Sequence, residues 1–367
     1  MKILIYSFLC IASLSFAQTD AINKIIESKI AHNSETPVHS MLFYFENENF
    51  SYNEGFGRVN RKGDTISKNT PFKIASSTKL FVATIMLQLE EAGKLSLNDK
   101  VSQYLNDIDY LKFEDFHILN GKKHATEITI KQLLSHRSGL ADIFTDREES
   151  FFSLLIQNPN KQYTPKAIIE LYFQFNLNKE PHFKPNEGWH YSDMNYVLLG
   201  LIIEKIDKTA LSQSIRNRIL EPLKMENTFF EFYEAPQKAL KPISQYVGNI
   251  NFLDINTSFD WAGGGLVSTN KDLAIFIKAL FNFKLINKES VTKMIDVKLT
   301  KDHESRYGLG VYEFIINKNV YYGHFGFYNT FVGYCPETKS TLSYCISQTN
   351  PDFNTYELID KLLRFVE

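Results

Sequence analysis

The chain has 367 residues, 40 Lys+Arg against 42 Asp+Glu, and is 44% hydrophobic. That balance supports a sizeable apolar core and excludes a disordered chain. A formal net charge of −2 argues against a nucleic-acid partner, which draws a basic surplus, and three cysteines cannot form a disulfide framework.

Residues 1–17 read as a cleavable secretory signal. Lys2 supplies the positive start, residues 3–16 form an apolar run, and Ser15-Phe16-Ala17 gives a small-x-small cleavage pattern before Gln18. The expectation is an exported protein, periplasmic or secreted, with no membrane span once the signal is removed. Leu9 before Cys10 speaks against lipid attachment at that cysteine.

The remaining chain shows no repeat and no low-complexity linker. Residues 38–46 and 50–58 flank the polar turn Asn47-Glu48-Asn49 and predict a hairpin. Helical patterns follow at 76–92, 129–136, 164–174, 194–206, 270–283 and 288–296. Strand patterns return at 306–316, 319–325, 328–335 and 341–348, and a helix at 354–366 closes the chain. Cys335 and Cys345 flank the turn-like Glu337-Thr338-Lys339-Ser340 and read as strand residues. A tight hairpin would set Cys335 against a residue near Leu342, so a disulfide between them is not favoured. Strands at both ends with helices between predict an α+β unit, its sheet built from about 18–75 and 300–367 and its helical part from about 76–299. A substrate site belongs where the two parts meet.

Three constellations carry chemistry. The first is Ser76-Ser77-Thr78-Lys79. On a helix, positions three apart share a face, so an amine at 79 can sit beside a hydroxyl at 76. A serine hydroxyl is a weak nucleophile until a neighbour takes its proton, and a desolvated lysine can do so. Ser-x-x-Lys arises about once by chance in a chain this long, and here it occurs three times, also at Ser268/Lys271 and Ser290/Lys293. Helix capping accounts for the last two. Ser76 instead opens a helix that is apolar nearly all round, which buries Lys79.

The second constellation is Tyr191-Ser192-Asp193, just ahead of a helix that Ser192 or Asp193 can cap. The third is His324-Phe325-Gly326, on a strand. Taken singly, both have ordinary structural explanations, and Tyr104-Leu105-Asn106 repeats the second type elsewhere. No Gly-x-Ser-x-Gly elbow, phosphate loop, His-Glu-x-x-His or His-x-His occurs, so neither a metal site nor a cofactor is expected.

In order and spacing the three sets resemble the penicillin-recognising serine hydrolases, for which the related set is Ser-x-x-Lys, Ser-Asp-Asn and Lys-Thr-Gly. The class C β-lactamase branch, with its D-amino-acid peptidase and esterase relatives, is the most similar because its middle element begins with tyrosine. Residues 72–93, 133–140, 188–204, 221–228, 262–273 and 307–310 also resemble that branch. The resemblance implies a β-lactamase/transpeptidase-like fold, an antiparallel sheet from both termini flanked by helices, and one catalytic unit over 18–367. It implies Ser76 as acylated nucleophile, Lys79 as proton acceptor or electrostatic partner, and Tyr191 as the group activating the hydroxyl. The oxyanion hole would be the N–H groups of Ser76 and Phe327, such donors each contributing roughly 2.7–4 kcal/mol. His324 and Gly326 would line the facing wall.

Two departures shape the expected substrate. Asp193 stands where many relatives carry Asn; a carboxylate near Lys79 favours the protonated lysine and leaves Tyr191 as the main base. His324 stands where true β-lactamases carry lysine, and an ordinary imidazole is mostly neutral at pH 7. The expectation is therefore an ester or small peptide/amide substrate ahead of a β-lactam or a D-alanyl-D-alanine terminus. The rival of another class is a catalytically silent peptidoglycan- or peptide-binding protein. Thr330, where relatives often carry glycine, is expected near the cleft, and the aromatic cluster Tyr321, Tyr322, Phe325, Phe327, Tyr328 and Phe331 reads equally as acyl pocket or as core.

Overall fold

The computed structural model describes residues 18–238, 241–297 and 305–366; the expected export signal lies outside the described residues. Residues 18–27 form helix α1, and the expected hairpin follows as β1 (Ser40–Glu46) and β2 (Ser51–Gly57). Its turn is held by the Asn47 side-chain oxygen, which accepts the Asn49 and Phe50 N–H groups, an Asx turn. A short strand β3 (Phe72–Lys73) and a 3₁₀ turn, Ala75–Ser77, lead into α2 (Thr78–Glu91). Then come α3 (Glu148–Gln157), α4 (Pro165–Gln174) and α5 (Asp193–Asp207). Strands β4 (Phe229–Phe230) and β5 (Leu266–Ser268) precede α6 (Asn270–Phe281) and α7 (Lys288–Met294). The chain closes with β6 (Tyr312–Ile316), β7 (Asn319–Gly326), β8 (Thr330–Cys335), β9 (Ser340–Ile346) and α8 (Thr355–Leu363).

The main sheet runs β6-β7-β8-β9-β1-β2, antiparallel throughout. The termini therefore meet at its centre, with Phe43 opposite Tyr344. Successive strand residues face opposite sides, and the pairing follows that period. Met41, Phe43 and Phe45 pack with Ile22 and Ile26 of α1 and with Leu358 and Leu362 of α8, whereas Leu42, Val332 and Cys345 face the helical body. Each such side chain contributes about 1.5–3 kcal/mol on burial. Within that body α2 is buried on every face from Leu80 to Leu87, and Phe81 stacks on Phe276 of α6 at 3.8 Å between centroids. The helical stretch also holds a second sheet, β3-β5-β4.

Several local expectations change. The strand expected from 306 begins only at Tyr312, because residues 308–311 close a turn through the Gly308 N–H and the Val311 carbonyl. Thr269 caps α6, leaving Ser268 to bond Thr228, and Asn287 caps α7, with Ser290 supplying the capped N–H. Cys335 sits opposite Ser340, and Gly333 is the residue opposite Leu342. Both cysteines are free and buried. No helix among the described residues is long and apolar enough to cross a membrane.

Candidate active site

The segment ahead of α2 is pinned against the end of β7. Ser77 Oγ donates to the His324 carbonyl at 3.1 Å, and Thr330 Oγ1 to the Ile74 carbonyl at 3.2 Å. A Cβ at Gly326 would lie 2.2 Å from the Ile74 oxygen, so glycine is required for β7 to approach this closely. Ala75 is consequently held at φ +45°, a conformation costing of order 1–3 kcal/mol for a non-glycine residue. The turn leaves Ser76 partly exposed between buried Ala75 and Ser77. The α2 N-cap is Ser77, without a side-chain capping bond.

Ser76 Oγ lies 3.0 Å from Lys79 Nζ, whose side chain is fully buried. The same nitrogen donates to Asp193 Oδ1 at 2.5 Å and to the Gly263 carbonyl at 2.8 Å. Two of these three oxygens can only accept, while the serine hydroxyl can donate or accept. Lys79 as an amine can therefore spend its two N–H bonds on Asp193 and Gly263 and turn its lone pair to Ser76. As an ammonium it donates to all three.

Asp193 opens α5, yet neither it nor Ser192 caps that helix through a side chain. Asp142 does so from a distant turn. Its Oδ1 accepts the Asp193 N–H at 2.8 Å, and its Oδ2 caps its own short helix through the Phe144 and Thr145 N–H groups. Burial and the Asp193 charge push the Asp142 carboxyl up; the Asp193 and Thr145 N–H donors pull it back. Ser192 Oγ instead donates to the Ala141 carbonyl.

Tyr191 stacks on His136 at 4.2 Å, and Lys79 Nζ lies 4.9 Å from its ring centroid. Nδ1 of His136 faces the Ser192 N–H at 3.1 Å and Asn195 Nδ2 at 3.0 Å. Two donors there place the ring proton on Nε2, and full burial keeps the ring neutral by holding its pKa well below the usual range. The Tyr191 hydroxyl is buried without a hydrogen bond of ordinary geometry. Burial first, then the Asp193 carboxylate and the Tyr312 phenol, raise its pKa well above normal; the Ser76 hydroxyl opposes them. At neutral pH it is a phenol.

His324 is fully buried. One ring nitrogen meets the Phe325 carbonyl at 2.6 Å and the other the Tyr307 hydroxyl at 3.2 Å. Desolvation, with Lys79 nearby, holds it down to about 3, so it is neutral. It does not line the cleft, contrary to expectation; alternation along β7 presents Phe325 instead, with Phe327 just past the strand's end, 45% and 58% exposed. Thr330 also turns away from the cleft, toward Ile74. Of the aromatic cluster, Phe325, Phe327 and Tyr328 line the cleft, whereas Tyr321, Tyr322 and Phe331 pack into the cores. The Ser76 and Phe327 N–H groups take part in no turn or loop hydrogen bond.

The cleft has a volume of about 420 Å³, with Ser76, Tyr191 and Asp193 among its lining residues. Most of its wall is aromatic or apolar, with Phe144, Phe151, Phe152 and Phe259 facing Phe325 and Phe327. Among the described residues its lining carries the carboxyl groups of Asp142, Glu148, Asp193 and Asp260 and no lysine or arginine. Among the described residues one trio of potential metal ligands forms, Asp146, His182 and His190, and it is not part of the cleft lining.

A family model described as Beta-lactamase matches residues 43–363. The chain belongs to the beta-lactamase family. It is 34% identical over 212 residues to Protein flp of Staphylococcus aureus, covering 57% of this chain and 38% of that protein. With the putative penicillin-binding protein PbpX of Bacillus subtilis it shares 30% identity over 271 residues, 71% of this chain and 58% of the relative. The chain thus spans well under two thirds of the length of these relatives. Among solved structures, the D-amino acid amidase of Ochrobactrum anthropi SV3 complexed with L-phenylalanine amide superposes with a TM-score of 0.78 at 22% identity, covering 95% of this chain and 98% of that one. The architecture is the β-lactamase/transpeptidase-like fold, and the family and its structural neighbours are hydrolases of that fold.

Sequence reading had not singled out Asp142, His136, Gly263 or Asp260 as parts of the site. Residues 133–140 and 262–273 were noticed for their resemblance, but nothing in a buried His or Asp taken singly marks the partner it will meet. Helix α3, which carries Phe151, Phe152 and Leu155 to the cleft, also escaped: no side chain caps its start.

Proposed function

We propose that the protein is a serine hydrolase that cleaves esters or amides through an acyl-enzyme on Ser76. The 3.0 Å contact between Ser76 Oγ and Lys79 Nζ, with Ser76 lining the cleft, carries this reading. Ser76 Oγ attacks the substrate carbonyl while its proton passes to Lys79. The ammonium so formed is stabilised by Asp193, as a carboxylate stabilises the cation formed at the base of a catalytic triad. The oxyanion draws on the Ser76 and Phe327 N–H groups. Tyr191, a phenol at neutral pH, protonates the departing alkoxide or amine, and water then releases the acid in the reverse sequence. This assignment makes Lys79 the base and Tyr191 the acid. It takes the first of the two roles the resemblance implies for Lys79, with Lys79 acting in its amine form, and burial, which keeps the tyrosine protonated, supports it.

The aromatic wall suits an apolar or aryl acyl group, and a lining with carboxyl groups and no lysine or arginine offers no partner to a substrate carboxylate. A neutral ester or an amide with a free amine fits better than a β-lactam or a D-alanyl-D-alanine terminus, both of which bring an anion. Export through residues 1–17 belongs to the same proposal, and N-terminal sequencing of the secreted protein tests it. For the substrate, matched p-nitrophenyl esters and anilides are compared, with and without a carboxylate on the acyl group. The expected order of kcat/KM is aryl-acyl neutral above short acyl, and both above the carboxylated compound. Rapid saturable turnover of a chromogenic cephalosporin, exceeding that of the esters, would overturn the substrate reading.

A further inference from the structure

Asp146, His182 and His190 are brought together by a scaffold that the hydrolytic mechanism does not use. His182 and His190 lie 36 and 44 residues from Asp146, yet their Nε2 atoms approach one oxygen, Asp146 Oδ2, at 2.9 and 3.2 Å. The backbone on both sides is fixed: the His182 N–H donates to the Gly139 carbonyl and the His190 N–H to the His136 carbonyl. The carboxylate is oriented by the Asp142 N–H, which donates to the same Oδ2 at 2.7 Å. The three ligand atoms lie within 4.8 Å of one another.

We infer that Asp146, His182 and His190 form a binding site for a divalent transition ion of the zinc type. Metal–ligand distances of about 2.0–2.2 Å in a tetrahedron place neighbouring ligand atoms roughly 3.3 Å apart, close to the 2.9 and 3.2 Å between Asp146 Oδ2 and the two imidazole nitrogens. Two imidazoles and one carboxylate suit zinc, cobalt or nickel rather than magnesium or calcium. The Asp142 N–H supplies the outer-shell bond that orients a ligating carboxylate. Three protein ligands leave the fourth position to water, and partial exposure of all three side chains gives an entry path. The rings now stack at 3.5 Å with 25° between their planes, so an ion bound to both nitrogens requires one ring to turn. His182, 38% exposed against 22% for His190, is the ring free to do so.

The consequence is mechanical. The ion would clip the segment carrying Asp142 to the segment carrying Tyr191, which follows His190 directly, and so brace two parts of the site without touching substrate. The test is calorimetric titration of the metal-free protein with Zn²⁺ at pH 7.5, alongside Co²⁺ absorption spectra and melting curves. The expected result is one Zn²⁺ per chain, a tetrahedral Co²⁺ visible spectrum and a raised Tm, with Mg²⁺ and Ca²⁺ silent. His182→Ala should weaken binding by more than about 100-fold, beyond the 10–100-fold typical of outer-shell changes, and His182→Ala/His190→Ala should abolish it. Melting of the metal-free variants by circular dichroism confirms that they fold. Absence of saturable binding at one equivalent, or undiminished binding in the folded double variant, would overturn the site.

Discussion

Lys79 Nζ and Asp193 Oδ1 meet at 2.5 Å, with the lysine side chain fully buried and the aspartate 17% exposed. The carboxylate stabilises the cation that Lys79 becomes on taking the Ser76 proton, so Asp193 is a positioning and charge-balancing residue. In Asp193→Asn that cation loses its partner, and kcat for ester hydrolysis should fall by roughly 10-fold or more while KM for a neutral ester changes little. An unchanged kcat would contradict the coupling.

Gly263 supplies an independent route to the same pair. A Cβ there would lie 2.2 Å from Asp193 Oδ1 and 3.4 Å from Lys79 Nζ. Gly263→Ala must push the carboxylate aside, so its loss of kcat should resemble that of Asp193→Asn. Circular dichroism should report the parent fold.

Tyr191→Phe separates chemistry from packing. The ring keeps its place on His136, and the hydroxyl removed is buried with no hydrogen bond of ordinary geometry. Stability should hold or rise, because an unpaired buried polar atom is costly. The kcat should fall by roughly 10²–10⁴, more for an anilide than for a p-nitrophenyl ester, whose leaving group needs no proton. Equal losses on the two substrates would remove Tyr191 from the role of acid.

Asp260 predicts how stability depends on pH. Desolvation, then the Asp193 carboxylate, raises its pKa from 3.8 to about 7; Glu231 acts in the same direction, while Lys73 and Lys79 oppose it. Between about pH 4 and pH 7 the folded chain holds this proton and the unfolded chain has released it. The contribution of this group therefore declines as pH rises through that window and levels off above it. Asp260→Asn should flatten the decline in urea-unfolding free energy between pH 4 and 7. A slope equal to the parent's would contradict the shift.

Much of this architecture was legible from pattern. The patterns in 38–46 and 341–348 announced strands from both ends of the chain, and the all-round apolar 76–92 announced a buried helix with Lys79 inside it. The juxtaposition of Ser76, Lys79 and Asp193 followed from motif order. The orientation of His324 was not legible. Strand register decides which of two neighbours faces the cleft, and here Phe325 does while His324 turns to Tyr307. Nor was the role of Asp142 or the Asp146–His182–His190 cluster, since both depend on loops whose meeting leaves no local periodicity.

The central claim is that Ser76 becomes acylated, and mass spectrometry of the protein treated with a fluorophosphonate tests it most directly. The account predicts one adduct per chain on the peptide containing Ser76, lost in Ser76→Ala and strongly slowed in Lys79→Met. An adduct on Ser268 or Ser290 in place of Ser76 would contradict it, and no adduct on folded protein would contradict it and favour a binding protein that keeps the fold without the chemistry.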